Sequence, residues 1–390
     1  MLNRTLSSTE FNSFGDTTNY TNVSLDPSVL EFPSYIRNTV TVFCAILLLL
    51  GTIGNLMVPL VIYRTKELRN STNMFLMNLS LADLLVLIVC MPPTLVELYT
   101  KPETWNLGEG MCKIVPYVEM SAAHGSVLTI LAISFERYYA ICQPLKAGYT
   151  CTKVRAMIII LTIWMVALTV TSPVLIFTEY DFESYLDGSM VPVCLTLVQT
   201  FWQRIYFFII VFTFFAIPLF ILLIVYTYIA RHLMMDTSEL SSSSERLQMR
   251  ARTQVVFMLI AVVLSFFFCL LPFRIFIIYV MLTSSEQLQS LGMEAYYCLL
   301  YFCRLMLYTN SALNPILYNV ISSKFRESFL RLIGWKVKRH LSHTVSQKFR
   351  TSVSGTRSSL ISGSTQSSQS GSHVILILSK NSPKKNLKNV

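Results

Sequence analysis

The chain has 390 residues, of which 53% are hydrophobic and only 13% are charged, and its formal net charge is +10. Soluble domains carry about 25% charged residues, so this composition argues against a water-soluble enzyme and predicts that most of the surface faces lipid. The basic total alone would suit a nucleic-acid-binding protein, but the Lys and Arg residues do not cluster on one predicted soluble face. We therefore expect no nucleic-acid partner.

Seven apolar stretches follow one another along the chain, each about 20 residues or more, which is long enough to cross a bilayer as an α-helix. They lack the alternation of apolar and polar residues that is typical of strands in a membrane barrel. The stretches lie near residues 40–63, 73–98, 112–141, 156–178, 205–230, 254–282 and 296–320. The predicted fold class is all-α, a bundle of seven transmembrane helices.

Charge is distributed unevenly between the two sets of loops that alternate along this bundle. The N-terminal segment and the loops near 97–113, 177–204 and 283–295 hold 5 basic and 13 acidic residues. The loops near 64–72, 143–155 and 231–253, together with the tail from 321, hold 23 basic and 5 acidic residues. Because basic loops remain in the cytoplasm, the pattern predicts an extracellular N-terminus and a cytoplasmic C-terminus.

Three glycosylation triplets in the N-terminal segment agree with this orientation. They begin at Asn3, Asn19 and Asn22, and such triplets are modified only when they face the secretory lumen.

The cysteines indicate one covalent link on the outer side. Of the 9 cysteines, only Cys112 and Cys194 lie in predicted outward-facing segments, where the compartment favours oxidation. We predict that they form a disulfide, which would attach the loop 177–204 to the outer end of the third helix.

Ionisable residues inside the predicted spans are the main candidates for function, because each costs several kcal/mol unless it is paired or faces water. They are Asp83, Glu119, His124, Glu136, Arg137, Arg274 and Arg304. The helical rise places Glu119 about 10 Å inward of Cys112, and Arg137 about 27 Å further along the same helix. The third helix therefore carries an acid near the outer end and a charged pair near the inner end.

Polar residues at one depth of the bundle form a candidate cation site. Asp83 lies near the middle of the second helix, and four further oxygen-bearing side chains are predicted at a comparable depth. These are Ser126, Asn310, Ser311 and Asn314. Oxygen ligands suit a small hard cation, so this set could bind an ion such as sodium as an allosteric ligand, with Asp83 as the charged metal ligand, and we expect no other cofactor.

Short motifs recur in a fixed order along the chain. They are Gly54-Asn55, Leu81-Ala82-Asp83, Glu136-Arg137-Tyr138, Trp164, Pro218, Tyr226, Phe266, Pro272 and Asn314-Pro315-Ile316-Leu317-Tyr318. In this order they resemble the class A (rhodopsin-like) G-protein-coupled receptors over roughly residues 38–335. The resemblance implies a multi-pass plasma-membrane receptor that signals through a heterotrimeric G protein.

Four further stretches narrow the resemblance. They are residues 68–73, residues 91–128, residues 129–148 and Tyr301-Phe302-Cys303-Arg304. These stretches are similar to peptide receptors related to those for thyrotropin-releasing hormone, ghrelin and neuromedin U, and most similar to arthropod ecdysis-triggering hormone receptors. The implied ligand is an amidated neuropeptide or peptide hormone, and the implied signal is calcium release through a Gq-class protein.

The resemblance assigns an activation switch to the inner half of the bundle. Glu136 would restrain Arg137 through a charge-assisted hydrogen bond at rest, and Tyr138 completes this motif. On activation Arg137 would meet Tyr226, Tyr318 and the G protein. The alternative is an ordinary salt bridge at a helix end. Prolines in the spans permit kinks, and the pivot of the sixth helix would be Pro272. The other kinked positions are Pro218 and Pro315.

Two positions depart from the family pattern. Leu270 stands where the family usually has a Trp two residues before Pro272, so Phe266 and its neighbours must relay ligand contact by packing. Arg252 replaces a frequent acidic residue at the inner end of the sixth helix and would repel Arg137. We therefore expect measurable signalling without ligand.

The predicted ligand pocket combines two arginines with one carboxylate. Arg274 and Arg304 should face a cavity near Glu119, with Met120 and Ala123 beside it on the third helix. This set suits a peptide terminus rich in carbonyls with a cationic side chain nearby. The alternative is that the three charged groups only pair with one another. His124 is more typical of a packed polar residue in the core.

The inner side and the tail complete the predicted domains. Residues 323–335 have helical amphipathic spacing and are expected to lie on membrane lipid as an eighth helix. Residues 351–372 contain 13 Ser or Thr in 22 positions, which predicts a disordered tail phosphorylated by receptor kinases and bound by arrestin, or else a solvated linker. The expected boundaries are 1–37 for the glycosylated segment, 38–322 for the receptor domain, 323–335 for the surface helix and 336–390 for the tail.

Other classes of membrane protein are less well supported. A transporter or channel would show repeats, broken helices or pore-lining rings, none of which is evident in the sequence. A membrane enzyme would need a catalytic cluster, and the common hydrolase and metalloprotease motifs are absent.

Overall fold

The computed structural model describes residues 32–185, 188–238 and 243–332. The predicted glycosylation residues Asn3, Asn19 and Asn22, the end of the surface helix at 333–335 and the tail 336–390 lie outside these described residues.

Seven long helices and one short helix account for most of the described chain. In chain order they are α1 (Ser34–Arg64), α2 (Ser71–Glu97), α3 (Gly108–Cys142), α4 (Lys153–Thr171), α5 (Phe201–Met235), α6 (Ser243–Leu282), α7 (Met293–Ile321) and α8 (Ser323–Leu332). Shorter helices are Lys66–Leu68, Pro144–Thr150, Val174–Phe177 and Ser285–Ser290. Each of the seven predicted stretches corresponds to one of the long helices.

The helices α1 to α6 are long and apolar enough to span a membrane within the described part of the chain. α7 has 29 residues but falls short of their apolar character. Its buried side carries Asn310, Ser311 and Asn314, and Arg304 lies nearer the N-terminus of the same helix. A helix that turns so many polar groups inward is typical of a functional element in a bundle.

Two helices contain a single turn of π-helix, at Val86–Cys90 in α2 and at Phe212–Ala216 in α5. Each wide turn lies just before a proline, Pro92 and Pro218 respectively. A proline ring clashes with the carbonyl four residues earlier and removes one hydrogen bond, and a π-turn at that place relieves the conflict.

Small residues bring α1 close to its neighbours. A Cβ atom on Gly51 would lie 2.6 Å from Cδ1 of Leu87, and one on Gly54 would lie 2.9 Å from Cβ of Pro315. Glycine at these two positions therefore lets α1 pack directly on α2 and α7. The outward faces of the helices are apolar, as on α4, where Leu161 and Met165 are exposed.

A β-hairpin closes one end of the bundle. β1 (Thr178–Ser184) pairs antiparallel with β2 (Met190–Thr196), and Tyr180 lies opposite Cys194. The predicted disulfide is present between Cys194 and Cys112 of α3, with a Cα–Cα distance of 5.6 Å. We call this end of the bundle the disulfide end and the opposite end of α3 the Arg137 end.

Candidate functional site

An ion pair that the sequence did not predict lies near the disulfide end. Arg304 of α7 donates from Nη1 to Oε2 of Glu97, the last residue of α2. Its guanidinium also lies 5.8 Å from the ring centre of Tyr301. The pairing joins residues 207 positions apart, so only the three-dimensional fold brings them together. The sequence signal for this pair was the position of Glu97, a carboxylate at the end of the second apolar stretch.

Arg274 and Glu119 lie close to this pair but form no hydrogen bond or ion pair with each other. Arg274 of α6 is buried, and its Nε atom has no hydrogen-bond partner. Glu119 is half-buried on α3 and interacts electrostatically with Arg304 and Arg274. The three predicted charges therefore do not simply neutralise one another, since Arg304 pairs with Glu97 instead.

Apolar residues follow Glu119 along α3. Met120 is half-buried and packs against the cluster around Phe207, while Ala123 is half-buried one turn further along α3. His124 is fully buried, its Nδ1 lies 2.9 Å from Oγ1 of Thr171, and its ring centre lies 4.1 Å from that of Phe214. This packing agrees with the interpretation of His124 as a polar core residue.

Three of the five predicted cation ligands come together in the middle of the bundle. Asp83 is buried and accepts a hydrogen bond of 2.8 Å from Nδ2 of Asn314, and Ser311 lies beside the same carboxylate. Asn55 of α1 donates to the carbonyl of Ser311 at 2.8 Å, which fixes this part of α7.

The other two predicted ligands, Ser126 and Asn310, are also buried, and Oδ1 of Asn310 has no hydrogen-bond partner. One carboxylate with hydroxyl and amide oxygens is a donor set that suits a monovalent hard cation. The described residues contain no group of three or more His, Cys, Asp or Glu that could hold a metal ion.

At the Arg137 end the direct hydrogen bond expected between Glu136 and Arg137 is absent. Nη2 of Arg137 lies 3.8 Å from Oε1 of Glu136, which is an ion-pair distance but too long for a hydrogen bond. Instead, Glu136 accepts a hydrogen bond from the Ser71 hydroxyl, and Arg137 donates to the Thr72 hydroxyl. The first turn of α2 therefore holds both members of the pair.

The predicted tyrosines of the switch bond elsewhere. Tyr226 lies 3.0 Å from the Ser134 hydroxyl, and the Tyr138 hydroxyl accepts from Gln143 at 3.3 Å. Tyr318 is fully buried, its hydroxyl has no partner, and its ring contacts Phe325 of α8 edge to face. Both Tyr138 and Tyr226 pack against an apolar cluster around Ile141 at the Arg137 end.

Aromatic side chains of the sixth helix contact one another and α5. Phe266 lies 5.3 Å from Phe267, and Phe267 lies 5.1 Å from Phe215 of α5, measured between ring centres. Leu270 is buried one turn further along, and Pro272 lies inside α6. Arg252, for which repulsion of Arg137 was expected, is exposed and forms no hydrogen bond or ion pair within the described residues.

Comparison with known proteins places this arrangement in a family. Residues 54–318 match the model of the 7 transmembrane receptor (rhodopsin family). The chain is 34% identical to the growth hormone secretagogue receptor type 1 of Mus musculus, over 81% of this chain and 86% of that protein. It is 31% identical to the thyrotropin-releasing hormone receptor of Gallus gallus, over 84% of this chain and 86% of that receptor.

A third relative is the QRFP-like peptide receptor of Branchiostoma floridae, with 32% identity over 77% of this chain and 79% of that receptor. These proteins are receptors rather than enzymes, and each match covers more than three quarters of this chain. The chain therefore belongs to the rhodopsin family of seven-transmembrane G-protein-coupled receptors, and to its peptide-receptor type.

Proposed function

We propose that this receptor binds an extracellular, C-terminally amidated peptide of the ecdysis-triggering hormone type. The observation that carries the proposal is the buried guanidinium of Arg274, whose Nε has no protein partner. A buried charged donor is costly unless something satisfies it. Carbonyl groups of an amidated peptide terminus supply acceptors without adding a second charge.

The neighbouring charges define the rest of the ligand. Glu119 is half-buried and forms no hydrogen bond or ion pair with the described residues, so it is available to a cationic side chain of the peptide. Arg304, held by Glu97, lies close enough to Glu119 to interact with it electrostatically. The acidic loops at the disulfide end would attract a basic peptide over a distance.

The orientation follows from the loop charges, with the disulfide end and the N-terminus outside and the Arg137 end in the cytoplasm. In this orientation Asn3, Asn19 and Asn22 carry glycans. The tail from 336 receives phosphate from receptor kinases and then binds arrestin, and α8 lies on lipid.

Signalling proceeds through a Gq-class protein and calcium release. Peptide contact at Arg274 on α6 moves the aromatic chain that begins at Phe266, and α6 swings about Pro272. Arg137 then leaves Thr72 and meets Tyr226, Tyr318 and the G protein. Asp83, Ser311 and Asn314 would hold a sodium ion, whose charge would stabilise the resting arrangement.

A peptide of the thyrotropin-releasing hormone, neuromedin U or ghrelin type is the second candidate ligand. The observation that favours it is the sequence identity of 34% to the growth hormone secretagogue receptor and 31% to the thyrotropin-releasing hormone receptor.

A calcium assay with a peptide panel tests the proposal. Cells expressing the full chain receive amidated peptides of the ecdysis-triggering hormone, thyrotropin-releasing hormone and neuromedin U types, with acylated ghrelin and the free-acid form of each amidated peptide. The ecdysis-triggering hormone amide should release calcium at the lowest concentration, and its free acid should be at least about tenfold weaker, the effect of about 1.4 kcal/mol.

Equal potency of amide and acid would contradict the assigned contact with Arg274. A lower half-maximal concentration for one of the other peptides would replace the proposed ligand.

A further inference from the structure

The hydrogen bonds around His124 determine which nitrogen of its imidazole carries the proton. The Thr171 hydroxyl donates its only proton to the carbonyl of Ala167 at 2.7 Å. Nδ1 of His124 must therefore be the donor in its 2.9 Å contact with Oγ1 of Thr171. A second proton would place another buried positive charge near Arg274, with which His124 interacts electrostatically. The ring is therefore neutral, and its Nε2 is a hydrogen-bond acceptor.

This acceptor is not used by the described part of the chain. Nε2 of His124 is buried and has no hydrogen-bond partner. Phe214, which lies in the π-turn of α5, covers the imidazole with its ring centre 4.1 Å away and the two ring planes 30° apart. The lone pair of Nε2 lies in the plane of the imidazole, so a ring over its face does not replace a donor. A buried acceptor without a donor costs free energy.

The guanidinium of Arg274 is the complementary unsatisfied group. Its Nε carries a buried N–H without a partner, whereas Nε2 of His124 is a buried acceptor without a partner. A primary amide carries a carbonyl acceptor and N–H donors on adjacent atoms. A carboxylate and an ester have acceptors but no donor. Among these three peptide termini, only the amide satisfies both Arg274 and His124.

The approach to His124 passes a side chain that can change its shape. Met120 lies one helical turn nearer the disulfide end than His124, on the same face of α3. It is half-buried and packs against the apolar cluster around Phe207. A methionine side chain has three rotatable bonds and adapts to its neighbours, so it can move aside for a small terminal amide.

We propose that His124 is a specificity-determining residue, which distinguishes an amidated peptide terminus from the same terminus without an N–H group. The amide N–H donates to Nε2 of His124, while the amide carbonyl accepts from Nε of Arg274. This role rests on the proposed function, because both contacts are made to the same peptide terminus.

A matched pair of ligands tests the hydrogen bond. The amidated peptide that is most potent in the calcium assay is prepared with a C-terminal N-methylamide and with a C-terminal methyl ester. The two end groups have the same size and both offer a neutral carbonyl, but only the N-methylamide has an N–H. A site that hydrogen-bonds an N–H rejects an analogue without it. The half-maximal concentration of the ester should therefore be at least about tenfold higher on the unsubstituted receptor.

Two substitutions of His124 separate its two nitrogens. His124→Asn keeps an N–H donor near the position of Nδ1, where it can bond to Thr171, but removes the Nε2 acceptor. His124→Gln places an amide oxygen near the position of Nε2 but removes the bond to Thr171. The ratio of ester to N-methylamide potency should fall to about one in His124→Asn and be retained in His124→Gln. If His124 acted only through Thr171, the order of the two variants would be reversed.

The ratio of two ligands on one variant does not depend on the amount of receptor at the cell surface. The control Ser121→Ala removes another buried polar group of α3 that has no hydrogen-bond partner, and it should retain the ratio. The comparison on the unsubstituted receptor and on His124→Gln decides the assignment even if His124→Asn does not reach the surface.

Equal potency of ester and N-methylamide on the unsubstituted receptor would overturn the role of His124. The proposed function would still stand if the response to the amidated peptide remained sensitive to Arg274→Gln. A ratio that persists in His124→Asn or disappears in His124→Gln would also refute the contact with Nε2. Failure of every amidated peptide to release calcium would overturn the proposed function and the role of His124 with it.

Discussion

At the Arg137 end, two hydroxyl groups from the first turn of α2 form the hydrogen bonds to Glu136 and Arg137. The sequence had predicted a direct hydrogen bond between these two charged residues instead. Ser71 and Thr72 reach Glu136 and Arg137 respectively, across 65 positions of sequence in each case. The Glu-Arg-Tyr motif predicted which residues matter but not this arrangement. Contacts between side chains on different helices depend on the rotation of each helix, which a local motif does not determine.

Removing the Ser71 hydroxyl should release part of this restraint. Ser71→Ala deletes a hydrogen bond to a charged group, worth about 1.5–3 kcal/mol, so the ligand-free population of active receptor should rise by at least about tenfold. The measurement is inositol phosphate accumulation without peptide, normalised to receptor at the cell surface. The control Ser80→Ala removes a buried α2 hydroxyl that bonds only to the carbonyl of Leu76. Basal signalling equal in the two variants would refute the role of Ser71.

Among the elements, the helix order and approximate bounds were predictable, whereas the irregular turns were not. The apolar stretches predicted all seven long helices, and Pro218 predicted a distortion in α5. The π-turn at Phe212–Ala216 that accommodates this proline could not be deduced, because a proline can also be tolerated by a kink or a bound water. The same holds for the turn Val86–Cys90 in α2.

The contact between α1 and α7 can be tested through Gly54. In Gly54→Ala the new methyl group would lie 2.9 Å from the rigid ring of Pro315, so the helices must separate. We expect the free energy of unfolding to fall by about 1–3 kcal/mol, which overpacking typically costs. The melting temperature of purified receptor measures the change.

Gly110→Ala is the matched control for Gly54→Ala, because a methyl group there meets no atom within 4 Å. It should leave stability unchanged or raise it by up to about 1 kcal/mol through helix propensity. An equal change in melting temperature for the two substitutions would mean that the close contact with Pro315 does not require a glycine at position 54.

For the whole molecule, composition and loop charge predicted the class of protein before any single site did. The low charged fraction predicted a membrane protein, and the ordered motifs predicted the receptor family that the comparisons confirm. The Glu97–Arg304 pair was not predicted, because it depends on how α2 and α7 approach each other at the disulfide end.

The orientation in the membrane remains a prediction from loop charge. An N-terminal epitope tag should bind antibody on intact cells, and a C-terminal tag should bind only after permeabilisation. Treatment with peptide N-glycosidase should increase the gel mobility of the receptor, and the triple variant Asn3→Gln, Asn19→Gln, Asn22→Gln should lose this shift. A C-terminal tag detected on intact cells would reverse the proposed topology.

The most direct test of the peptide-binding account is the dose-response curve of Arg274→Gln. Gln retains a hydrogen-bonding group but not the charge, so the half-maximal concentration of the active amidated peptide should rise at least about tenfold, the loss of about 1.4 kcal/mol or more. The control Arg204→Gln changes an exposed arginine at the start of α5 and should leave the curve unchanged. With surface expression matched, an unchanged curve for Arg274→Gln would contradict the assignment of this buried arginine to the ligand.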